Sequence, residues 1–274
     1  METHGIYTQQ NVIAIIPARL SSERLPGKLL LEVGGKPVIL HTLESVGKAR
    51  TVNRVIAAVD HEDLFRAAES AGFEAVMTSA DHPSGSDRIA EVASSIEGDA
   101  VIVNVQGDEP LISPSVIDLA VEALLNDKGS DISTTCEAIE SAREVVSPDV
   151  VKVVSDSEGR ALYFSRAPIP YPRDEVRKHG SLETALLNDP ELCSAFCKHT
   201  GLYVFRKDAL LKFTALEPSP AEVSERLEQL RALENGLKIR VVEVEDRSIG
   251  IDTAEDLERF RKLVEGGEEV RVTA

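Results

Sequence analysis

Buried-strand and helix patterns alternate along the first hundred residues of the chain. Val12 to Ile16 is an unbroken β-branched and apolar run, which predicts a strand covered on both faces. The apolar spacing from Pro37 to Glu44 favours a helix. The same reading predicts strands at 55–59, 75–77 and 101–105 and helices at 62–71 and 87–96. Strands and helices that alternate at this spacing predict an α/β fold with a mixed, mostly parallel sheet.

The later half of the chain has a less regular pattern. It predicts strands near 132–135, 150–155, 161–164 and 202–205, some of them antiparallel. Several prolines and charges between Pro168 and Phe196 indicate an excursion from the sheet, which could fold over a site or meet another subunit. A helix is predicted at 221–234, a strand at 239–244, and a final helix from Ala254 with Thr253 as its cap.

Length and composition favour a globular protein with one main domain. The 274 residues are 42% hydrophobic, enough for a large core. We expect a disordered extension at 1–10 and a single domain at 11–274 with an excursion at about 160–200. The first ten residues lack the features of a secretory signal, and the apolar run from Val12 to Ile16 is too short to span a bilayer. These observations predict a cytoplasmic protein.

The three cysteines, Cys136, Cys193 and Cys197, are too few to staple a domain of this size, and any pairing leaves one over. We expect reduced thiols. Cys193 and Cys197 with His199 could suggest a metal site, but the local sequence offers no obvious fourth ligand for a tetrahedral one. We therefore interpret Cys193, Cys197 and His199 as side chains that bind no metal.

A formal net charge of −17 argues against a nucleic-acid partner, because duplex binding relies on many lysines and arginines that neutralise phosphates. The same charge repels small anions unless a local basic cluster reverses the field. Phosphate chemistry is therefore expected only where basic residues concentrate.

One such cluster lies in the loop Pro17 to Lys28, directly after the first predicted strand, where three basic residues accompany one acid. Ligands of open α/β sheets bind at the carboxyl ends of strands, so Arg19 and Lys28 are candidates to hold a triphosphate. The loop is not a P-loop, because Ser22 and Leu29 stand where glycine and a hydroxyl residue are required. The alternative is a solvated surface loop.

Carboxylates follow another predicted strand. Asp108 comes just after the run 101–105 and is a natural ligand for a hard cation such as Mg²⁺. The alternative for Asp108 is a turn that caps the next helix. Asp252, just before the last helix, could supply a second carboxylate, although a helix-start role is the commoner explanation for it.

Several ordered segments resemble the 3-deoxy-manno-octulosonate cytidylyltransferase family, whose sugar is called Kdo. The resemblance runs from Val12 to the last helix and is carried by IIPARLSSERLPGKLL, DHPSGSDRIAEV, VIVNVQGDEPLI, VKVVSDSEGRALYFSRAPIP, HTGLYVFR, PSPAEVSERLEQLR and GIDTAEDLE. It implies a Rossmann-like nucleotidyltransferase fold with a smaller dimerisation lobe. It also implies transfer of CMP from CTP to Kdo, a Mg²⁺ cofactor, a homodimer and a role in lipopolysaccharide biosynthesis.

The resemblance assigns roles to matching positions. The implied catalytic residues are Arg19, Lys28 and Asp108, and Asp108 and Asp252 would hold Mg²⁺. The implied nucleotide-binding residues are Pro17, Ala18, Arg19, Lys28, Ser84, Gly85, Arg88 and Gln106. The implied sugar-binding residues are Gln106, Arg166, His199, Tyr203, Glu222, Glu225 and Gln229. Without the resemblance, Ser84 would be read as a helix cap, His199 and Tyr203 as a strand face, and Glu222 and Glu225 as a solvated helix turn.

The chain departs from the family pattern in places. Glu222-Val223-Ser224-Glu225 replaces a frequent Glu-His-Ile-Glu run, the segment from Tyr171 to Lys198 is long, and residues 1–10 are unmatched. The alternatives that remain open are a related acidic sugar, such as 8-amino-Kdo or sialic acid, a sugar phosphate, and a non-catalytic CTP-binding protein. Arg166 and the acidic pair Glu222 and Glu225 favour a carboxylated sugar without a phosphate, because a phosphosugar would want more positive charge at the acceptor side.

Overall fold

The structure, a computed structural model, describes residues 11–22, 24–246 and 250–266; the predicted extension at 1–10 lies outside these ranges. The strands are β1 (Val12–Ala18), β2 (Glu32–Val33), β3 (Lys36–Pro37), β4 (Arg54–Val59), β5 (Glu74–Met77), β6 (Val101–Asn104), β7 (Ile132–Ala138), β8 (Lys152–Ser155), β9 (Ala161–Ser165), β10 (Cys197–Arg206) and β11 (Ile239–Glu243). The helices are α1 (Val38–Val46), α2 (Glu62–Ser70), α3 (Gly85–Ser94), α4 (Pro114–Asn126), α5 (Ala142–Val146), α6 (Arg173–His179), α7 (Leu182–Asn188), α8 (Lys207–Thr214), α9 (Pro220–Glu225), α10 (Gln229–Glu234) and α11 (Ala254–Glu265). Short 3₁₀ helices lie at Lys28–Leu30 and Pro190–Ala195.

The central sheet is mixed and confirms the predicted α/β class. Its main path is β11-β7-β10-β6-β1-β4-β5, and β8 and β9 extend it from β10. The pairs β1/β4, β1/β6, β4/β5 and β7/β11 are parallel, whereas β10 runs antiparallel to both β6 and β7. One long antiparallel strand therefore joins two parallel parts of the sheet.

The strand order places a switch point beside β1. From β1 the chain proceeds to β4 and β5 on one side and then returns to β6 on the other side. The loops that follow β1 and β6 therefore leave the sheet in opposite directions and open a crevice between them, which is where open α/β sheets bind ligands. All seven residues of β1 are buried, so the floor of this crevice is a rigid central strand.

Alternate residues of β1 contribute to two separate hydrophobic cores. Ala14 and Ile16 pack with apolar side chains of α1, α4 and α11 on one face of the sheet. Ile13 and Ile15 pack with apolar side chains of α3, α8 and α10 on the other face. This period of two follows from the geometry of a strand and gives a layered α/β/α arrangement. Among the described helices, none is both long and apolar enough to cross a bilayer.

The segment between β9 and β10 contains more regular structure than the sequence indicates. Helices α6 and α7 and the second 3₁₀ helix lie within the predicted excursion. Leu186, Cys193 and Phe196 from this region form a third small core with Ile139 and Val145. The excursion therefore has an apolar centre of its own. The three cysteines are free thiols, as predicted.

The helix predicted over 221–234 is wrong as a single element. It consists of α9 and α10, separated at Arg226, whose φ of 55° is left-handed. A non-glycine residue adopts this conformation only at a cost, so the surroundings must favour it. The backbone carbonyl of Glu225 accepts a hydrogen bond from Arg166 Nε at 2.7 Å. This carbonyl is thereby directed to a side chain of another element instead of a continuing helix.

Candidate active site

A cleft of about 410 Å³ opens at the carboxyl ends of β1 and β6. It lies at the switch point in the strand order, so the fold and the cleft independently indicate the same place. Residues of the loop after β1, the start of α3, the loop after β6 and the segment before α11 line it: Pro17, Arg19, Ser21, Ser22, Arg24, Lys28, Leu29, Pro83, Ser84, Gly85, Gln106, Gly107, Asp108 and Asp252.

Lys28 is the centre of the charged cluster in this cleft. Its side chain is 10% exposed, and its Nζ lies 2.5 Å from Asp108 Oδ2 and 2.9 Å from Asp252 Oδ1. The Nζ also donates to the carbonyl oxygen of Ile251 at 2.8 Å. Burial acts to lower the pKa of Lys28, but the two carboxylates outweigh it and raise the pKa above its ordinary value. Lys28 is therefore a fixed positive charge at neutral pH.

Backbone contacts fix the relative positions of Lys28, Asp108 and Asp252. Gly27 has a φ of 67° and lets the chain turn into the 3₁₀ helix that begins at Lys28. The amide of Ile251 donates to the carbonyl of Asp108 at 2.8 Å, which ties the segment before α11 to the loop after β6. Main-chain hydrogen bonds, and not only charge, therefore set the separation of Asp108 and Asp252.

The donor set fits the Mg²⁺ ion that the sequence resemblance implies. Asp108 and Asp252 both direct a carboxylate oxygen at the Lys28 ammonium, so the two side chains converge on one cation. Among the described residues there is no group of three or more His, Cys, Asp or Glu side chains that could hold a metal alone. Mg²⁺ commonly takes one or two carboxylates and completes its shell with phosphate oxygens and water. The site therefore suits a metal that arrives with a triphosphate.

Two arginines add positive charge to the same cleft. Arg19 donates to the carbonyl oxygen of His82 at 2.6 Å. Arg24 is 66% exposed and lies 3.0 Å from Asp252 Oδ2. Arg24 is not among the predicted site residues, although it belongs to the basic loop, and its position in that cluster is the feature that could have identified it.

Close backbone approach shapes the wall between the loops after β1 and β6. A Cβ at Gly107 would lie 3.1 Å from the carbonyl oxygen of Pro17, and a Cβ at Gly85 would lie 3.3 Å from Pro17 Cγ. Both contacts are too tight for most side chains. Ser84 caps α3 by accepting from the amide of Asp87 at 3.1 Å, and Gly85 begins the helix, so α3 directs its amino end toward the cleft. A Cβ at Gly85 or Gly107 would therefore require Pro17 to shift by a few tenths of an ångström.

Two of the predicted nucleotide-binding residues do not line the cleft. Ala18 is 1% exposed and packs in the core below it. Arg88 is completely buried, and its guanidinium contacts Thr78 and Asp60. Pro17, Arg19, Lys28, Ser84, Gly85 and Gln106 do lie along the cleft wall.

Arg166 and Glu225, two of the predicted sugar-binding residues, contact each other. Glu225 accepts from Ser165 Oγ at 2.6 Å and from the Arg166 amide at 2.9 Å. The Arg166 guanidinium donates to the carbonyl oxygens of Glu225 and Pro148. This arrangement fixes the position of Arg166 at the end of β9.

Glu222 has partners within its own helix and the next one. Its carboxylate accepts from the Ser219 amide and completes a capping box at the start of α9. It also lies 3.1 Å from Arg231 Nε. These contacts suit a residue that stabilises the helix start.

His199 and Tyr203 lie in a row of aromatic side chains on β10. The His199 ring packs edge-on against Phe164, 5.0 Å between ring centroids, and His199 Nε2 lies 2.9 Å from Thr134 Oγ1. Burial lowers the pKa of His199 to about 3 and raises that of Tyr203 well above its usual value. Both side chains are therefore neutral across the physiological range.

Glu228 is a residue that the sequence analysis missed. With Tyr203, Gln229 and Ser86 it lines a small cavity of about 10 Å³ on the far side of the α3 start. Its Oε1 accepts from Ser86 Oγ at 3.0 Å, whereas its Oε2 is buried and has no hydrogen-bond partner among the described residues. Burial raises its pKa above the ordinary value. Only the tertiary structure distinguishes this carboxylate from the exposed ones of the same region.

Comparisons with known proteins identify the family of the chain. A family model described as cytidylyltransferase matches residues 13–239. A 3-deoxy-manno-octulosonate cytidylyltransferase of Solibacter usitatus is 48% identical, with 93% of this chain and 94% of the relative covered. The enzyme of the same name from Geobacter metallireducens is 49% identical, with 90% and 95% covered. The chain belongs to the 3-deoxy-manno-octulosonate cytidylyltransferase family.

A solved structure extends the agreement to the whole fold. A CMP:2-keto-3-deoxy-manno-octonic acid synthetase in complex with CTP superposes with a TM-score of 0.83 at 38% identity, covering 94% of this chain and 99% of the other. The nucleotidyltransferase fold predicted from the sequence is thereby confirmed, and the chain is an enzyme of this cytidylyltransferase class. The proposed role of the excursion in dimerisation stays a prediction.

Proposed function

We propose that this chain transfers a cytidylyl group from CTP to the anomeric hydroxyl of Kdo, giving CMP-Kdo and pyrophosphate. The observation that carries the proposal is the convergence of Lys28, Asp108 and Asp252 in one cleft at the switch point of the sheet. Relatives that cover nearly the whole chain have the name of this activity, and a structural neighbour was solved with CTP.

The reaction needs positioning and charge more than covalent chemistry. The anomeric oxygen forms a bond to the α-phosphorus, the bond to the β-phosphate oxygen breaks, and the hydroxyl proton passes to solvent. Arg19 and Lys28 bind phosphate oxygens and offset the charge of the departing pyrophosphate. Asp108 and Asp252 would hold Mg²⁺, which when bound supplies a Lewis acid for the triphosphate. The Ser84 and Gly85 end of α3 adds a favourable helix dipole for the nucleotide.

The acceptor sugar is assigned to the region around Arg166. A planar guanidinium suits the carboxylate of an acidic sugar, and Glu225 keeps Arg166 in place. Gln106 lines the cleft and would contact both the nucleotide and the sugar. His199, Tyr203 and Gln229 would shape the sugar pocket, and Glu222 would support it through the start of α9.

The proposed oligomeric state and cellular location are those that the family resemblance implies. We propose a homodimer that works in the cytoplasm and supplies activated Kdo for lipopolysaccharide biosynthesis. Exposed apolar side chains support a subunit contact at β9 and the excursion: Leu162 and Tyr171 are each 62% exposed and Leu187 is 74% exposed. Three free thiols suit a reducing compartment.

The test is a substrate panel. Purified protein is incubated with Mg²⁺, each nucleoside triphosphate in turn and Kdo, and pyrophosphate release is measured. We expect release with CTP and Kdo together. Substituting 8-amino-Kdo, sialic acid or a sugar phosphate identifies the acceptor, and no release with any pair would contradict the proposal.

A further inference from the structure

Arg88 of α3 carries a fully buried positive charge close to the cleft. Its Nη1 donates to Thr78 Oγ1, and its Nη2 lies 3.3 Å from Asp60 Oδ2. Burial lowers the pKa of Arg88, and the Asp60 carboxylate opposes that effect. An unpaired buried charge is strongly destabilising, so the Arg88 guanidinium depends on the Asp60 carboxylate. We refer to these two residues as the Arg88–Asp60 unit.

Asp60 connects this unit to the basic loop. Its Oδ2 contacts Arg88, whereas its Oδ1 accepts from the backbone amide of Leu20 at 2.9 Å. Asp60 directly follows β4, and Leu20 directly follows Arg19 in the loop after β1. The carboxylate therefore binds the loop backbone at the residue next to a proposed phosphate ligand.

Helix α3 is also connected to Arg19 through His82, which precedes the helix. Arg19 Nη2 donates to the carbonyl of His82 at 2.6 Å, and His82 Nε2 contacts the carboxylate of Glu91. Arg88 and Glu91 are three residues apart, so they lie on neighbouring positions of one helical face. The charge of Arg19 also acts on Arg88 and lowers its pKa further. Arg19 and Arg88 are thus neighbouring cations, and Asp60 places a carboxylate on Arg88 and on the backbone next to Arg19.

We propose that Arg88 and Asp60 are positioning residues for the triphosphate: Arg88 orients Asp60, and Asp60 fixes the loop backbone at Leu20 so that Arg19 faces the cleft. This inference rests on the proposed function. It differs from the role implied by the sequence resemblance, because Arg88 has no exposed surface with which to bind a nucleotide.

The proposal is tested with Asp60→Ala, which removes the acceptor of the Leu20 amide and the partner of Arg88. We expect the KM for CTP to rise about tenfold or more, because a small misplacement of a binding group is costly. The KM for Kdo should stay within about twofold of wild type. In an Arg19→Ala background the same substitution should add less than about threefold, because Asp60 acts through Arg19.

Asp118→Ala is the matched control. Asp118 is also buried and also accepts from a backbone amide, that of Thr51 at 2.8 Å, and pairs with an arginine, Arg50. Among the described residues its polar partners are Arg50 and Thr51, which belong neither to the loop after β1 nor to the cleft lining. It should lower the melting temperature without changing the KM for CTP. If Asp60→Ala does not fold, Asp60→Asn replaces it, since the amide keeps an acceptor for Leu20 but loses the charge opposite Arg88.

The possible results separate the two proposals. Wild-type protein that releases no pyrophosphate from CTP and Kdo would contradict the proposed function. Active wild type in which the Asp60 variants alter only the melting temperature, as Asp118→Ala does, would overturn this inference alone. The inference would also be overturned if Asp60→Ala raised the KM for CTP by the same factor in the Arg19→Ala background as in wild type. A selective rise in the KM for CTP that vanishes without Arg19 would support it.

Discussion

Lys28 Nζ and Asp252 Oδ1 lie 2.9 Å apart although 224 positions of sequence separate the two residues. The same ammonium contacts Asp108, so the first loop of the sheet and the segment before the last helix share one charge cluster. The site exists only when the loops after β1 and β6 and the segment before α11 are all in place. Activity therefore requires that these three distant segments of the chain have folded against one another.

Lys28→Met should reduce pyrophosphate release by about 100-fold or more, because one charge that stabilises the departing pyrophosphate is lost. Asp108 would then lose its ammonium partner, whereas Asp252 would keep its ion pair with Arg24. Turnover in steady state measures the effect. Lys36→Met is the matched control, since Lys36 also pairs with a carboxylate, Glu44 at 2.6 Å, but lies outside the cleft lining. Equal activities of the two variants would contradict the role of Lys28.

Asp108→Asn should abolish measurable turnover in the presence of Mg²⁺ while the protein stays folded, since the amide keeps the shape of the side chain but not its charge. Circular dichroism checks the fold and pyrophosphate release checks the activity. Asp174→Asn, at a highly exposed position in α6, controls for the chemical change alone. Near-normal release by Asp108→Asn would show that this carboxylate does not hold the metal.

Glu225→Gln should raise the KM for Kdo about tenfold, because the side chain loses its charge and an NH2 group replaces one of the two oxygens that accept from Ser165 Oγ and the Arg166 amide. The KM for CTP should not change. Glu222→Gln provides the comparison: the amide can keep the capping contact but loses the ion pair with Arg231, which predicts a loss of up to about 1 kcal/mol of stability and a smaller effect on the KM for Kdo. The assignment of Arg166 to the sugar would be wrong if both variants left the KM for Kdo unchanged.

Acid should destabilise the protein through His199. The pKa of its buried ring is about 3 in the folded state, against 6.5 for an ordinary histidine. The unfolded chain therefore binds the extra proton first, so the stability from the neutral ring is complete above pH 6.5 and is lost as pH falls toward 3. The loss is at most about 1.4 kcal/mol per pH unit. Melting temperatures across this range should fall less steeply for His199→Gln; parallel curves would contradict the argument.

Arg226→Gly should leave stability unchanged or raise it by up to about 1 kcal/mol. The left-handed backbone at φ 55° costs an arginine more than a glycine, although glycine also gives the unfolded chain more freedom. Thermal unfolding measures the difference. Arg177→Gly, within α6, should instead destabilise by about 1 kcal/mol. A loss at Arg226 as large as that at Arg177 would mean that the arginine side chain stabilises this junction.

Local pattern was enough for most of the sheet and for α1, α2, α3 and α11, whereas α4, α5 and α8 were not predicted. The predicted strands at 55–59, 101–105 and 239–244 differ by only a residue at one end from β4, β6 and β11. One error arose because a distant residue decided the local structure. Arg166 redirects the Glu225 carbonyl and divides the helix predicted over 221–234, and no spacing within that segment records this contact.

The sequence by itself determined the α/β class and the basic loop after the first strand, because burial periodicity and local charge are properties of neighbouring residues. With the family resemblance it also indicated Lys28, Asp108 and Asp252 as one group. Only the tertiary structure decided which charges face the cleft. Arg88, Arg24 and Glu228 look alike as charged positions in a sequence. In the structure Arg88 is fully buried, Arg24 lines the cleft, and Glu228 has one buried carboxylate oxygen with no hydrogen-bond partner in the described part of the chain. Side-chain environment depends on strand order and on contacts between distant segments, which a linear pattern does not contain.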